Sequence, residues 1–508
     1  MTVRGKLAII SRGIALAVFV AVLVLAANFL NQKFHALAYQ EVDFGFYMQF
    51  AAKLADPQLS DRYSLTGDGY NLLGLTGTEG QFGFHQAIHF EPAKYLYALV
   101  YAIFKHPLAL LIFYAFLYLS PLLYLAFIQP VRDWRDLLFL ILVMLLFVGF
   151  PATFPAIGFD LRPRMLLNAA IPLAVFAVHY RRPLWEKALA FVFLLLIREE
   201  ALLFGLLIGI YAFYRTEDAF ERKRTLWLFG GIWLVGLVAN TVYFQWAGYA
   251  FDREYNVFAI LFDHPLLAAV GAIVGLAGLA GLRWLQVKYR DRHDVQIAVP
   301  LAAYTLIFIP IGLQLYVSTL WRFGQENLAA QLPELLHDLI FNPNYTICFV
   351  LVWVLLVLIW TYLSKRVVQI GFNLVLLIGV AYCGVQTYRQ LPLVSPEEIA
   401  KAEPVFAFRD GLDRYEDAVL LDYETYQAYY DFEHAFVFHR LPWYLAPGEA
   451  RLYNANFDLL VALAENEVDY IIVGRKMQAS IQDLLDHSDL VYEMLVEDGA
   501  VLIYALHR

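Results

Sequence analysis

The chain has 508 residues, of which 61% are hydrophobic and only 16% charged, with a mean hydropathy of +0.57. These values exclude a water-soluble globular protein, and the net charge of −9 comes without a basic surface of the kind that binds nucleic acid. The two cysteines, Cys348 and Cys383, both fall in apolar runs, which argues against a disulfide framework or a cysteine-held metal.

Residues 1–30 start like a signal peptide, with Arg4, Lys6 and Arg12 ahead of an apolar run. The run is longer than a usual signal core, so 7–30 reads as a retained first transmembrane helix; the small residues Ala26 and Ala27 are the counter-signal. The positive-inside rule then puts the amino terminus in the cytoplasm and the loop 31–106 outside. That loop holds an amphipathic piece (44–56), a Gly/Asp/Thr-rich region (60–80) and HQAIHFEP. The segment 94–104 is too short to cross and reads as an interfacial or re-entrant helix, which keeps Arg132 and Arg135 inside.

Spans follow at 108–128, 136–156 and 165–180, then a short hairpin of 184–197 and 201–214 with Arg198-Glu199-Glu200 at its tip. Further spans fit 225–246, 265–285, 297–320, 345–363 and 367–387, giving about eleven in a membrane domain of residues 1–389. From 390 the chain changes character. LPLVSPEE reads as a linker, 418–422, 435–439, 469–474 and 500–507 as strands, and 424–431, 456–466 and 478–487 as helices. The expected fold is therefore an all-α polytopic membrane domain with a small extracytoplasmic α/β domain at 390–508.

Unusual polar residues gather on the expected outer side. Asp43, among the aromatics of YQEVDFGFYMQF, serves equally well as a helix cap or as a catalytic base or ion ligand. His85 and His89 with Glu91 have the spacing of a loose metal site, but hydrogen-bonding loop histidines are the better reading. GFDLRPRM (158–165) presents Asp160 beside Arg162 and Arg164, whose planar guanidiniums suit phosphate, although arginines at span ends also reach for lipid headgroups. Arg198-Glu199-Glu200 is flanked by apolar runs and must pair internally or face a water-filled cavity.

At these residues the chain resembles a family of bacterial and archaeal multi-spanning membrane proteins of unknown function, allied to the GT-C glycosyltransferases. Asp43-Phe44-Gly45 looks like that family's D-x-G, and His89-Phe90-Glu91-Pro92 is similar to its H-F-S-P with Glu91 in place of Ser. Phe159-Asp160 and Pro163 resemble its second outer loop, and Arg198-Glu199-Glu200 its K-E-D; Arg162 and Arg164 depart from the His and acid of that loop. The resemblance implies an inverting transferase that uses a polyprenyl-phosphate-linked sugar, with Asp43 and Glu199 as catalytic candidates. It implies substrate contacts from His89, Glu91, Asp160, Arg162, Arg164, Arg198 and Glu200, an acceptor left unnamed, and a divalent metal (Mg or Mn) left open. The alternatives are a non-catalytic lipid-glycan carrier or transporter, and an inactive relative.

Overall fold

The computed structural model describes residues 3–39, 43–56, 90–158, 161–246, 265–308, 340, 342, 345–390, 394–422, 424–432, 434–437, 464, 468–474, 478–486, 488, 489, 491–498 and 501–507. Long apolar segments fold as helices because a backbone that leaves water must bond to itself. Helix α1 (Val3–His35) packs lengthwise on α4 (Pro107–Ile128), with α2 (Asp43–Ala55) and α3 (Lys94–Phe104) between them in sequence. Pro107 opens α4 where its missing N–H is harmless, and His106 Nδ1 accepts the Leu108 N–H at 3.1 Å.

The Asp133 carboxylate caps α5 (Trp134–Gly149) by accepting the backbone N–H groups of Arg135 and Asp136. The short α6 (Thr153–Ile157) and a 3-10 turn (Pro163–Leu166) lead to α7 (Leu167–His179). Helices α8 (Leu184–Leu195) and α9 (Ala201–Arg215) form the expected hairpin. The body continues with α10 (Ala219–Trp246), α11 (Pro265–Lys288), α12 (His293–Thr305), α13 (Thr346–Tyr362) and α14 (Arg366–Gln390). Its core is aromatic: Trp360 stacks on Phe139 and donates to the buried Asp136 at 3.2 Å, and Trp353 donates to the Val143 carbonyl at 2.7 Å.

Eleven full-length spans are not what folds. Among the described residues four helices are long and apolar enough to cross a membrane: Ile9–His35, Pro107–Ile128, Ala219–Tyr243 and Arg366–Arg389. The expected span at 136–156 ends at Gly149 and restarts as α6, and α7 and α12 hold only 13 residues each. At 1.5 Å per residue such a helix is about 20 Å long, short of a hydrocarbon core of about 30 Å. Much of the expected span 297–320 lies outside the described residues. A mostly helical, multi-pass membrane body remains.

The tail starts with α15 (Pro396–Arg409), inside the stretch expected to be a linker. Its first turn is a capping box in which Ser395 Oγ accepts the Glu398 N–H while Glu398 accepts the Ser395 N–H. Strands β1 (Ala418–Leu421), β2 (His434–Val437), β3 (Tyr470–Gly474), β4 (Val491–Asp498) and β5 (Val501–His507) form one sheet in the order β2-β1-β3-β5-β4. Pairs β1–β2 and β1–β3 are parallel, β3–β5 and β5–β4 antiparallel, and α16 (Gln478–Asp486) covers one face. Strand β4 was not expected: it is an edge strand with most side chains exposed, so it lacks an apolar alternation.

The helix expected at 424–431 is only a 3-10 turn, Tyr426–Ala428. The Asp422 carboxylate takes the N–H groups of Glu424 and Thr425, and this local capture competes with a regular helix. The helix expected at 456–466 lies, apart from residue 464, outside the described residues.

The tail is docked against one end of the membrane body. The Tyr426 ring covers Gly45 of α2, and its hydroxyl donates to the Gln49 side chain. A Cβ at Gly45 would lie 2.6 Å from Tyr426 Cε1, so no larger residue fits without movement. Phe406 and Tyr430 pack against Phe34 at the end of α1, and Arg414 and Tyr415 reach Asp56 at the end of α2.

Candidate functional site

The charged tip of the α8–α9 hairpin packs, half-buried, against the turn that opens α3. The Ala93 N–H donates to the Leu196 carbonyl at 2.7 Å, and the Phe90 N–H donates to Glu199 Oε2 at 3.2 Å. These bonds bring Glu91 beside the tip. Glu91 is 5% exposed, and its Oε2 accepts the Tyr47 hydroxyl of α2 at 2.6 Å, so three sequence segments meet at one carboxylate. A carboxylate this buried needs such donors, because desolvation penalises its charge.

Arginines complete the cluster. Arg198 Nε lies 3.4 Å from Glu199 Oε1 and 3.8 Å from Glu200 Oε1. Arg164, from the 3-10 turn before α7, reaches Glu200 Oε2 at 3.3 Å. Arg162 lies close enough to act electrostatically on Arg164, and its carbonyl accepts the Tyr114 hydroxyl at 3.3 Å. Leu161, just ahead, has a φ of 53°, a left-handed conformation that costs a branched side chain energy and concentrates at functional loops.

Burial opposes the Arg198 charge, but Glu200, Glu199 and Glu91 outweigh it and hold its proton more tightly than usual. Arg164 is pulled the other way, by burial and by the like charges of Arg198 and Arg162, with Glu200 and Glu199 opposing. Lys94, the first residue of α3, is 3% exposed; burial lowers its pKa to about 8, with the Glu91 charge partly opposing. Its ammonium lies 5.2 Å from the Phe50 ring centre. Among the described residues four basic side chains thus stand around three carboxylates, and guanidiniums of this kind are suited to phosphate.

Of the expected site residues, Glu91, Arg162, Arg164, Arg198, Glu199 and Glu200 come together from segments up to about 100 positions apart. Asp43 is the first residue of α2, four positions before Tyr47, and its side chain lies outside the described ones. His85, His89 and Asp160 lie outside the described residues. Among the described residues no three His, Cys, Asp or Glu side chains are grouped to hold a metal ion.

Tyr47 and Lys94 were missed by sequence reading. Tyr47 carried a usable signal, its four-residue spacing from Asp43, whereas Lys94 at the head of an apolar helix looked like an ordinary boundary lysine. In comparisons with known proteins, no family model and no curated protein matches this chain.

Proposed function

We propose that the protein is a membrane glycosyltransferase that moves a sugar from a polyprenyl-phosphate donor to an acceptor at the external face of the cytoplasmic membrane. The observation that carries this reading is the convergence of Arg164 and Arg198 with Glu199, Glu200 and Glu91 beside α2. Guanidiniums held by carboxylates in a site of low solvent exposure are preorganised to receive a phosphate. In this reading the amino terminus is cytoplasmic, and the hairpin tip and tail lie outside.

Asp43 takes the proton of an acceptor hydroxyl as the acceptor oxygen bonds to the anomeric carbon. The bond from that carbon to the phosphate oxygen breaks with inversion, and polyprenyl phosphate leaves. Arg164 and Arg198 offset the charge that grows on the departing phosphate, and Arg162 adds to the positive field. Glu199 and Glu200 hold the guanidiniums in position. His89 and Asp160 are assigned to substrate contact by the sequence resemblance.

The test is transfer from a radiolabelled polyprenyl-phosphate sugar by purified protein, read as released polyprenyl phosphate. Asp43→Asn is expected to lower the rate by roughly 10²–10⁴-fold, the usual worth of a general base. A variant that transfers at the wild-type rate removes Asp43 from that role. Wild-type protein that binds the donor without ever releasing polyprenyl phosphate would be a carrier instead.

A further inference from the structure

A second site lies at the other end of α2, where Tyr47 and the hairpin tip do not reach. Between the membrane body and the tail is a cavity of about 690 Å³, within the size range of small-molecule sites. Phe34, Tyr101 and Tyr430, each buried, line it with aromatic surface. Along it runs a ladder of alternating charge. Arg409 Nη2 donates to both oxygens of Asp431 at 2.7 and 2.9 Å, and Arg414 spans from Asp431 at 4.0 Å to Asp56 at 3.4 Å.

The charge balance decides what this lining can hold. Three cations of Arg and Lys type (Arg409, Arg414, Lys105) line the cavity with four carboxylates (Asp56, Glu403, Asp410, Asp431). A phosphate would therefore meet a lining with one carboxylate in excess. A hydroxyl both donates and accepts, so each Arg–Asp pair can serve it on both sides without burying net charge. The aromatic surface suits the C–H face of a sugar ring. Lys105, at the lip, ends α3 with a left-handed φ of 48° and donates its N–H to the Tyr101 carbonyl, which sets its side chain at the cavity mouth.

We propose that this seam cavity binds a neutral polyhydroxyl ligand, a glycan of one or two sugar units. The binding stands apart from the chemistry assigned to Asp43, and only its use as an acceptor site rests on the transferase reading.

The test needs no donor lipid, so it can fail or succeed independently of transfer. Full-length protein in lipid nanodiscs is mixed with millimolar maltose, cellobiose or N,N′-diacetylchitobiose, and binding is read by saturation-transfer NMR. At least one disaccharide is expected to receive saturation, and Ala55→Trp, which fills the wall, should abolish it. Should Ala55→Trp not fold, the exposed rim variants His35→Ala and Glu403→Ala, checked by thermal unfolding, are expected to reduce the signal several-fold. The proposal is overturned if none of the three sugars receives saturation. It is equally overturned if the signal survives every folded cavity variant, or if inorganic phosphate displaces the sugar.

Discussion

Lys94 shows how a single residue ties the site to solution conditions. It keeps its proton up to about 10.5 in an unfolded chain and loses it at about 8 in the folded protein. Between those values the unfolded form binds more protons, so stability rises with pH across the window; below pH 8 the burial penalty is fully present. The expected gain is up to about 3 kcal/mol. Thermal unfolding of wild type and Lys94→Met between pH 7 and 10.5 checks this, because only the wild type should gain stability across that window. Parallel curves would mean that water reaches the ammonium and that Lys94 is not the buried cation described above. Glu91 belongs to the same scale: its sequence context gave it a candidate role, but its partners Tyr47 and the hairpin tip are 44 and about 100 residues away.

At the scale of elements, α2 is the hinge between the two sites, and Gly45 sets its position against the tail. Gly45→Ala is expected to destabilise the docked tail by roughly 1–3 kcal/mol through overpacking against Tyr426. Tyr426→Ala in the same chain makes room for the added methyl, so the double variant should lose less than the sum of the two single losses. Thermal unfolding of the four proteins measures the coupling, and strictly additive losses would mean that the tail does not pack on Gly45 in solution. The glycine of Asp43-Phe44-Gly45 thereby has a packing reason, a ring laid across the helix, that no reading of α2 alone supplies. The hairpin is the opposite case. Two apolar segments of about 14 residues flanking Arg198-Glu199-Glu200 already implied a short hairpin, because each is rather short to cross independently and the charges needed a tip.

For the whole molecule, the proposed orientation makes an accessible prediction. Protease added to intact spheroplasts should remove the tail beyond Gln390 and reach the body only through its outer loops such as 31–106, with the short loop around Arg181 and Arg182 cut only after lysis. A tail protected until lysis would invert the topology and place both sites in the cytoplasm.

What the sequence determined by itself was set by local physics. Apolar runs must become helices in a bilayer, Arg and Lys bias loop placement, and Asp and Ser at helix starts cap them. Hence the helical body, the hairpin and the change of character near residue 390 were legible. Span number was not, because apolar content alone does not show where a helix breaks, as at Gly149. The exposed edge strand β4 and the turn at Asp422 were hidden for a related reason, since their conformations follow from pairing and side-chain capture rather than periodicity. Only the tertiary structure decided which charges meet. Glu91, Arg164 and Arg198 converge, and the cavity at the tail seam exists, because helices distant in sequence pack at particular heights. That height is fixed by side-chain packing between helices, an interaction that leaves no periodic mark on any one of them.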